Sequence, residues 1–442
     1  MKKIIVGVLL LLVVAGFGAP FVSGLVMENV VKQSFSNLNT LYSDTGSDVS
    51  VEILRYDRKF SSTEIEWKIQ FGSMKAMYGV EEILFLDRAE HRFTGIVSTT
   101  SLEKNKWFTD FVSNKLDGKN PLSIITEYTL SGQINSTITL EAFALPVESE
   151  MVEIRAGRAL FVSDEELRDF FSEVVWEGFA VVDKMSVDGV SMTSSMEKIS
   201  TYLWDGTFSL GIQKSNIKES ENDQFVLENV KVDYNLDIDG EENTVSIVAA
   251  LGADRLQSGP EKVANAFARI GVINMDAQGF EEFLKLYTEI GNSLLKEIAE
   301  AGDDPEEMRT ILQEQVARTQ FQMLMAYERL LKKGLEIQIS DVQAQLPEGE
   351  IKGDAVLRLE KDMTFAQFVP LVQQPALVLD IIFLQSDMSL PAVLVGENPM
   401  LLSPLYAGMQ TGMFVKNGET LNHKAETRDS KLYLNGLEVV FP

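Results

Sequence analysis

The chain has 442 residues, of which 45% are hydrophobic and 24% are charged, a balance typical of a globular protein rather than a disordered one. Its formal net charge is −27, and so acidic a surface repels nucleic-acid phosphates and anionic lipid head groups. We therefore expect no nucleic-acid partner, and any attachment to a membrane must be apolar. The chain has no cysteine, which excludes disulfides, thiolate metal sites, iron–sulfur clusters and a cysteine nucleophile.

The N-terminal segment from Ile4 to Met27 contains no charged residue. A helix needs about 20 apolar residues to cross a bilayer core, whereas the apolar part of a signal peptide has about 7–15. Residues 16–26 remain apolar and lack an A-x-A cleavage signal, so we favour a retained anchor at residues 1–27 over a cleaved signal peptide. Lys2 and Lys3 predict a cytoplasmic start. A single-pass inner-membrane protein with most of its chain in the periplasm is the expected localisation.

Alternating apolar and polar residues predict strands along most of the remaining chain. An amphipathic helix is expected first, over residues 28–41, and short helices are expected at 105–116 and 164–171. Between Trp176 and Val248 we expect about six strands, joined at Asp-Gly turns. The predicted strands before that region are 49–53, 65–71, 83–86, 93–97, 124–130, 134–140 and 142–147.

The periodicity then changes to that of two long helices. Phe280, Phe283 and Tyr287 begin one apolar face, and a second helix starts at Asp303-Asp304-Pro305 and stops at Gly334. Strands resume at Leu335, and residues 366–384 are predicted to form a buried helix broken at its prolines.

The predicted fold class is α+β. An N-terminal transmembrane helix precedes extended, curved, mainly antiparallel β-sheets that helices cover. The predicted divisions are a membrane anchor at 1–27, a β-rich region with short helices at 28–260, a helical hairpin packed on the sheet at 261–334, and a second β-rich region at 335–442. Whether the two sheet-plus-helix portions arose by duplication is left open.

One short motif is shared with a known family. The stretch at Leu54 reads LRYDRKFSSTEIEWKI, and it follows the apolar segment and the amphipathic helix. Together these features resemble the YdgA-like family of bacterial envelope proteins of unknown function. The motif positions that match are Tyr56, Arg58, Phe60, Ser61 and Ser62, while Lys59 stands where the family usually has glycine. The resemblance implies an exported, membrane-tethered protein and implies no activity.

The same motif also has a plain structural interpretation. Tyr56 and Phe60 are expected to face the core at a bend between strands, and Ser61 and Ser62 are expected to satisfy backbone groups of the turn.

Patterns associated with catalysis or metal binding are incomplete. The S-x-x-K matches at Ser101 and Ser195 lack the S-D-N and K-T-G partners. Asn235, Asp237 and Asp239 mimic a calcium loop, but Ser246 stands where a bidentate Glu is needed. The acidic residues at 303–307 are explained as a helix start. His91 is expected just before a strand and His423 in a polar loop. We therefore expect no catalytic residues, no metal site and no cofactor.

Three functions stay open at this point. The first, which we favour, is a non-enzymatic scaffold or binding protein with an apolar, lipid-like ligand surface, and 17 methionines and 25 phenylalanines suit such a surface. The same residues could instead simply fill the core. The second function is an envelope assembly factor that binds a protein partner. The third is a cell-envelope hydrolase, which no constellation of residues supports. The oligomeric state is unknown.

Overall fold

The computed structural model describes residues 24, 27–71, 80–147, 150–218, 224–301, 305–367, 375–394 and 399–440. Antiparallel strands dominate these residues, as the alternating pattern predicted. The chain divides into two compact units: unit 1 contains residues 1–179, 192–204 and 287–318, and unit 2 contains residues 180–191, 205–286 and 319–442. Both units are built from separate stretches of chain. The continuous divisions expected from the sequence stay a prediction.

Unit 1 begins with a helix, α1, at residues 27–44, and residue 24 is also helical. Its strands pair in the order β1–β2–β3–β4–β5–β6–β9–β10, all antiparallel, while β7 pairs with β8 as a separate hairpin. The elements are β1 Val49–Arg58, β2 Ser62–Phe71, β3 Glu82–Arg92, β4 Gly95–Ser101, α2 Lys106–Lys115, β5 Leu122–Thr129, β6 Ile134–Leu140, β7 Phe143–Val147, β8 Glu150–Ile154, β9 Gly157–Ser163 and β10 Asp169–Val181.

The core of unit 1 lies between α1 and strands β2, β3 and β4. Met27 and Val31 of the helix pack against Ile65, Ala89 and Ile96 of the sheet, and all five side chains are almost fully buried. The apolar spacing of the helix therefore serves to dock it on the sheet.

Unit 2 contains the longest strands, which pair in the order β12–β13–β14–β15–β16–β17–β18–β20–β21–β22. Strand β11 (Met185–Lys198) and helices α3 and α4 contribute residues to both units. The elements are β12 Trp204–Lys218, β13 Gln224–Asp239, β14 Thr244–Ser258, β15 Glu261–Asp276, α3 Ala277–Ala301, α4 Pro305–Leu330, β16 Glu336–Leu346, β17 Gly349–Leu359, a 3₁₀ helix Pro375–Asp380, β18 Ile382–Pro391, α5 Pro399–Gln410, β19 Val415–Asn417, β20 Thr420–Arg428, β21 Lys431–Leu434 and β22 Leu437–Glu438.

The two long helices begin only after β15. Asp276 ends that strand, and its Oδ1 accepts a hydrogen bond from the Gly279 N–H at 2.7 Å, which caps the start of α3. A Cβ at Gly279 would lie 3.1 Å from the Arg329 carbonyl oxygen, so this glycine allows α3 to pass close to the end of α4.

Two helices expected from the sequence are strands instead. Residues 164–171, predicted to be helical, form a turn followed by β10. The turn is held by the Asp164 carboxylate, which accepts the Arg168 N–H at 2.7 Å, and Phe170 pairs with Ser163 of β9. In the predicted helix at 366–384, the described part is a short 3₁₀ helix at Pro375–Asp380 followed by β18. Cross-strand pairing overrides the local helical pattern in both places.

The predicted anchor at 1–27 lies outside the described residues, except for Gly24 and Met27. Among the helices that the structure describes, none is both long and apolar enough to span a bilayer.

Candidate functional site

The sheet of unit 2 has one apolar face, which is the main candidate site. Register places the apolar residues of neighbouring strands side by side on this face, because alternate residues of a strand point the same way. One row crosses the strands from β12 to β17 through Phe208, Tyr234, Ala249, Ile270, Ile339 and Ala355. A second row runs from β13 to β18 through Leu236, Ile247, Val272, Ile337, Leu357 and Leu384. We call this surface the apolar face.

Burial varies along the strands of the apolar face. At one end Val245 is fully buried and Met275 is 5% exposed, next to the start of α3. In the middle, Ile270 is 42% exposed, Ile337 is 44% exposed and Ile339 is 41% exposed. Large aliphatic side chains this accessible in adjacent strands form a contiguous apolar surface, and such surfaces mark binding sites when they are large.

The opposite face of the same sheet, the polar face, carries most of the polar and charged side chains, mixed with a few apolar ones such as Val248, Ile273 and Val356. Ser209 donates a hydrogen bond to Asp233 at 2.7 Å, and Arg358 approaches Glu336 at 3.5 Å. Gln338, between Ile337 and Ile339, lies on this polar face, where its Cβ is near Gly271. Polar and charged groups are therefore concentrated on one face of these strands, and the two rows on the other face carry no charged side chain from Phe208 to Leu384.

The apolar face ends at a group of charges. Lys214 lies two residues beyond Ile212 on β12 and pairs with Glu228 of β13, with their charged atoms 3.5 Å apart. Arg255 of β14 approaches the same carboxylate at 3.7 Å. All three side chains are 30–50% exposed, so the two cations face solvent at the edge of the apolar face.

The motif lies in unit 1, at the end of β1 and the turn into β2. Its residues are Tyr56, Arg58, Phe60, Ser61 and Ser62. Arg58 approaches Glu28 of α1 at 3.5 Å, and the Tyr56 ring packs on the core with the Lys32 ammonium 5.8 Å from its centroid. Burial, reinforced by the charge of Glu28, raises the pKa of Tyr56 to about 12. Tyr56 and Arg58 therefore help to hold α1 against the sheet.

The rest of the motif forms the turn itself. The Ser61 carbonyl accepts the backbone N–H of His91 at 3.0 Å, and the Ser62 carbonyl accepts that of Lys59 at 2.8 Å. Phe60 was expected to face the core, but its side chain is 55% exposed.

Both histidines are buried within strands, contrary to the sequence-based positions. His91 belongs to β3 rather than preceding a strand, and its Nε2 lies 2.7 Å from the Thr63 hydroxyl. His423 belongs to β20 rather than to a polar loop, and its Nε2 lies 2.7 Å from the Ser386 hydroxyl. The other ring nitrogen of His423 lies 2.9 Å from the Met413 carbonyl, to which it donates, so Nε2 accepts from Ser386. Each imidazole is fixed between a hydroxyl and a main-chain carbonyl.

The distance between Ser386 and His423 is that of a nucleophile and its general base, but a substrate could not reach the serine hydroxyl. Each side chain is only 8% exposed, and both belong to paired strands. The arrangement is that of a structural hydrogen bond.

A buried carboxylate lies beneath α1 in unit 1. Asp87 on β3 is 6% exposed and accepts a hydrogen bond from the Trp67 indole at 3.0 Å. Burial raises the pKa of Asp87 above its ordinary value, because the charged form is poorly solvated there. Tyr128, which packs partly buried against the same core, has its pKa raised by desolvation and by the nearby charge of Asp87.

The remaining sequence patterns have structural positions. Lys104 of the first S-x-x-K match pairs with Glu66 at 3.1 Å, and Ser195 of the second match lies within β11. Asp239 of the calcium-like stretch ends β13 and accepts the Glu241 and Glu242 backbone N–H groups. Asp303 and Asp304 lie outside the described residues. Among the residues that the structure places, no three Asp, Glu or His side chains gather closely enough to hold a metal ion.

These features define an antiparallel-sheet protein with a helix clasped to one unit and an amphipathic sheet in the other. A family described as bacterial protein of unknown function (DUF945) matches residues 1–441, and the chain belongs to that family. No curated protein matches the chain, and no solved structure matches it.

Sequence reasoning identified some strands of the apolar face but not its exposure. The strands after Gly334 and those before Val248 were predicted, whereas β15, which carries Ile270 and Val272, lies in the stretch predicted as a helical hairpin, and β18 overlaps a predicted helix. Alternation shows that one face of a strand is apolar, yet it does not show whether another layer covers that face. The charged group at the edge of the apolar face could not be recognised in the sequence either. Lys214, Glu228 and Arg255 lie on three different strands, and only the strand register brings them together.

Proposed function

We propose that this protein is a non-enzymatic component of the bacterial envelope, held in the inner membrane by its N-terminal segment, that binds the hydrocarbon chain of a lipid on the apolar face. The observation that carries the proposal is the half-exposed patch of Ile270, Ile337 and Ile339 on two adjacent strands of unit 2. Water contact with these side chains is unfavourable, and an acyl chain would remove it at about 25 cal/mol for each Å² buried.

The dimensions of the apolar face suit this ligand. The row from Phe208 to Ala355 crosses six strands and therefore extends for about 24 Å, since neighbouring strands lie about 4.8 Å apart. The hydrocarbon of one bilayer leaflet is about 15 Å thick. An acyl chain can thus lie along the row without reaching past its ends.

The charges at the edge of the apolar face suit the polar end of the same ligand. Lys214 and Arg255 supply donors for a phosphate or carboxylate, where the strands leave the apolar zone. Lys214 lies six residues along β12 from Phe208, or about 20 Å, so a lipid whose head group binds here would direct its chain along the strands into the apolar face.

Location supports the same function. The uncharged segment at 4–27 and the resemblance to YdgA-like envelope proteins both favour a tethered protein with most of its chain in the periplasm. Such a tether would hold the apolar face within reach of the bilayer that supplies the lipid.

Binding of a fluorescent fatty acid, cis-parinaric acid, to the full chain in detergent tests this function. We expect the double variant Ile270→Asp/Ile339→Asp to bind about tenfold more weakly, because each new carboxylate would be buried against the probe. Gln338→Asp places the same charge on the polar face of the same strand and should leave binding unchanged. Equal affinity in the double variant and the wild type would refute lipid binding at this face.

An assembly factor that binds a protein partner is the second candidate, and one observation favours it. On α4, Phe321, Leu324 and Met325 are 69%, 36% and 43% exposed, at the spacing of one helix face. Exposed aromatic residues of this kind are frequent hot spots of protein interfaces. Loss of a co-purifying envelope protein in Phe321→Ser, with fatty-acid binding intact, would favour this second function.

A further inference from the structure

Three neighbouring turns of unit 1 each expose a large apolar side chain. Phe60 lies in the turn between β1 and β2, Phe93 in the turn between β3 and β4, and Leu130 in the turn between β5 and β6. They are 55%, 64% and 55% exposed, respectively. Single exposed apolar residues are common on protein surfaces and need no explanation, but three at the tips of consecutive hairpins form a pattern.

Strand register brings the three turns to one end of the sheet. Ser62 at the start of β2 pairs with Glu90 near the end of β3, and Gly95 at the start of β4 pairs with Thr129 at the end of β5. Successive turns are therefore separated by two strand spacings, or about 10 Å. We call Phe60, Phe93 and Leu130 the turn cluster.

The turn cluster lies where the uncharged N-terminal segment reaches the sheet. Gly24 is so close to His91 that a Cβ on it would lie 2.3 Å from the imidazole Cε1. His91 in turn lies two residues before Phe93, and its backbone N–H donates to the Ser61 carbonyl, next to Phe60. A chain entering the sheet from a bilayer at this point would bring these turns with it to the membrane surface.

The charge of the turns also differs from that of the whole chain. Residues 58–61, 91–95 and 129–133 contain Arg58, Lys59 and Arg92 but no Asp or Glu, although the chain carries a net charge of −27. Arg58 pairs with Glu28 and Arg92 with Glu90, each at 3.5 Å, so the turns are close to neutral rather than acidic. Exposed aromatic and aliphatic side chains on turns without excess negative charge suit an interfacial membrane contact, because the turns do not repel anionic head groups as the rest of the acidic chain does.

We propose that the turn cluster inserts into the interface of a phospholipid bilayer and forms a second, peripheral membrane contact beside the anchor. This contact rests on the membrane tether of the proposed function, and it does not depend on lipid binding at the apolar face. It would fix the orientation of unit 1 on the membrane, because a single helix leaves a domain free to rotate whereas three further contact points do not.

Lipid-borne quenching tests the contact in the full chain. The protein has no cysteine, so a single one can be introduced at residue 60, 93 or 130 and labelled with an environment-sensitive fluorophore. Each labelled protein is placed in nanodiscs of phosphatidylethanolamine and phosphatidylglycerol, with or without a lipid that bears a doxyl quencher high on its acyl chain. Trp107→Cys is the matched control, because Trp107 is 47% exposed on α2, which leaves β4 at the opposite end.

We expect labels at 60, 93 and 130 to lose roughly half or more of their fluorescence, because apolar groups of an interfacial contact lie about 5–10 Å deep, near the quencher. The label at residue 107 should be hardly quenched. If the protein is retained by the discs but the three turns are quenched no more than residue 107, the proposed contact is wrong and the anchor still stands. Failure of the chain to enter the discs overturns the anchor, and the contact with it.

Discussion

Gly24 and His91 are in direct contact, since a Cβ added to Gly24 would lie 2.3 Å from Cε1 and 2.7 Å from Nδ1 of the imidazole. Gly24 lies near the end of the uncharged segment at 4–27, and because it has no side chain the His91 ring of β3 can lie against it. His91 is held in turn by the Thr63 hydroxyl, at 2.7 Å from its Nε2. The contact couples the N-terminal helix to the sheet of unit 1.

Gly24→Ala should therefore destabilise the protein. The new methyl group must displace the His91 ring and weaken its bond to Thr63, and overpacking of this kind typically costs about 1–3 kcal/mol. Alanine is otherwise the better helix former by about 1 kcal/mol, so a stabilising result is the default for a glycine in a helix. Urea unfolding of the full chain in detergent measures the difference.

Gly291→Ala is the control for this substitution. Gly291 lies in α3, and no heavy atom lies within 4 Å of the position its Cβ would take. Alanine there should be neutral or stabilising. Equal stabilisation by both substitutions would show that Gly24 does not pack closely against His91.

Asp87→Asn should stabilise unit 1 at neutral pH. Burial raises the pKa of Asp87, so the folded state binds its proton more tightly than the unfolded chain does. The stability of the wild type is therefore fully present below the ordinary carboxyl pKa of about 4 and falls as the pH rises from there through the raised value. Asparagine still accepts the Trp67 N–H but does not ionise, and we expect a gain on the order of 1 kcal/mol near neutral pH.

The gain should vanish at acid pH, and this pH dependence distinguishes desolvation from better packing. Urea unfolding at several pH values, compared between variant and wild type, gives the difference directly. Asp387→Asn, at an exposed position of β18, should change stability by less than about 0.5 kcal/mol at every pH. A gain for Asp87→Asn that is the same at acid and neutral pH would contradict the assigned cause.

His423→Ala should destabilise unit 2. The substitution leaves the Ser386 hydroxyl and the Met413 carbonyl without the ring nitrogens that they contact at 2.7 and 2.9 Å. The Ser386 hydroxyl is buried, and the loss of its partner costs about 1–3 kcal/mol, whereas the Met413 carbonyl keeps the Asn435 side-chain amide as a donor at 3.1 Å. Thermal unfolding of the full chain, with the exposed neighbour Lys424→Ala as control, measures the loss. A change no larger than that of the control would mean that the two hydrogen bonds contribute nothing.

Much of the sheet follows from the sequence, because a two-residue period is a direct signal of a strand. The alternation of Ile65, Trp67 and Ile69 predicted β2, and the residues that follow Gly334 predicted β16. The helix at 106–115 also follows from its apolar spacing. These patterns are local, and local patterns survive folding unless pairing opposes them.

The errors arise where strand pairing, rather than local periodicity, decides the structure. Residues 164–171 contain good helix formers, yet Asp164 closes a turn and Phe170 joins the ladder of β9. His423 lies among polar residues, but its alternate neighbours Leu421 and Ala425 are buried, and they mark a strand. Parts of the apolar face could be predicted from alternation, but β15 was placed in a helical hairpin. The exposure of the face depends on which element packs against it, and that is a tertiary property.

Site-specific photo-crosslinking in living cells tests the central claim, that the apolar face binds lipid. A benzophenone amino acid is introduced at Ile339 on the apolar face, or at Gln338 on the polar face of the same strand, in the full chain grown with radiolabelled phosphate. We predict that ultraviolet light transfers label to the protein with the probe at 339 and not to the protein with the probe at 338. Equal labelling at both positions, or a crosslink at 339 to a protein alone, would contradict lipid binding on this face.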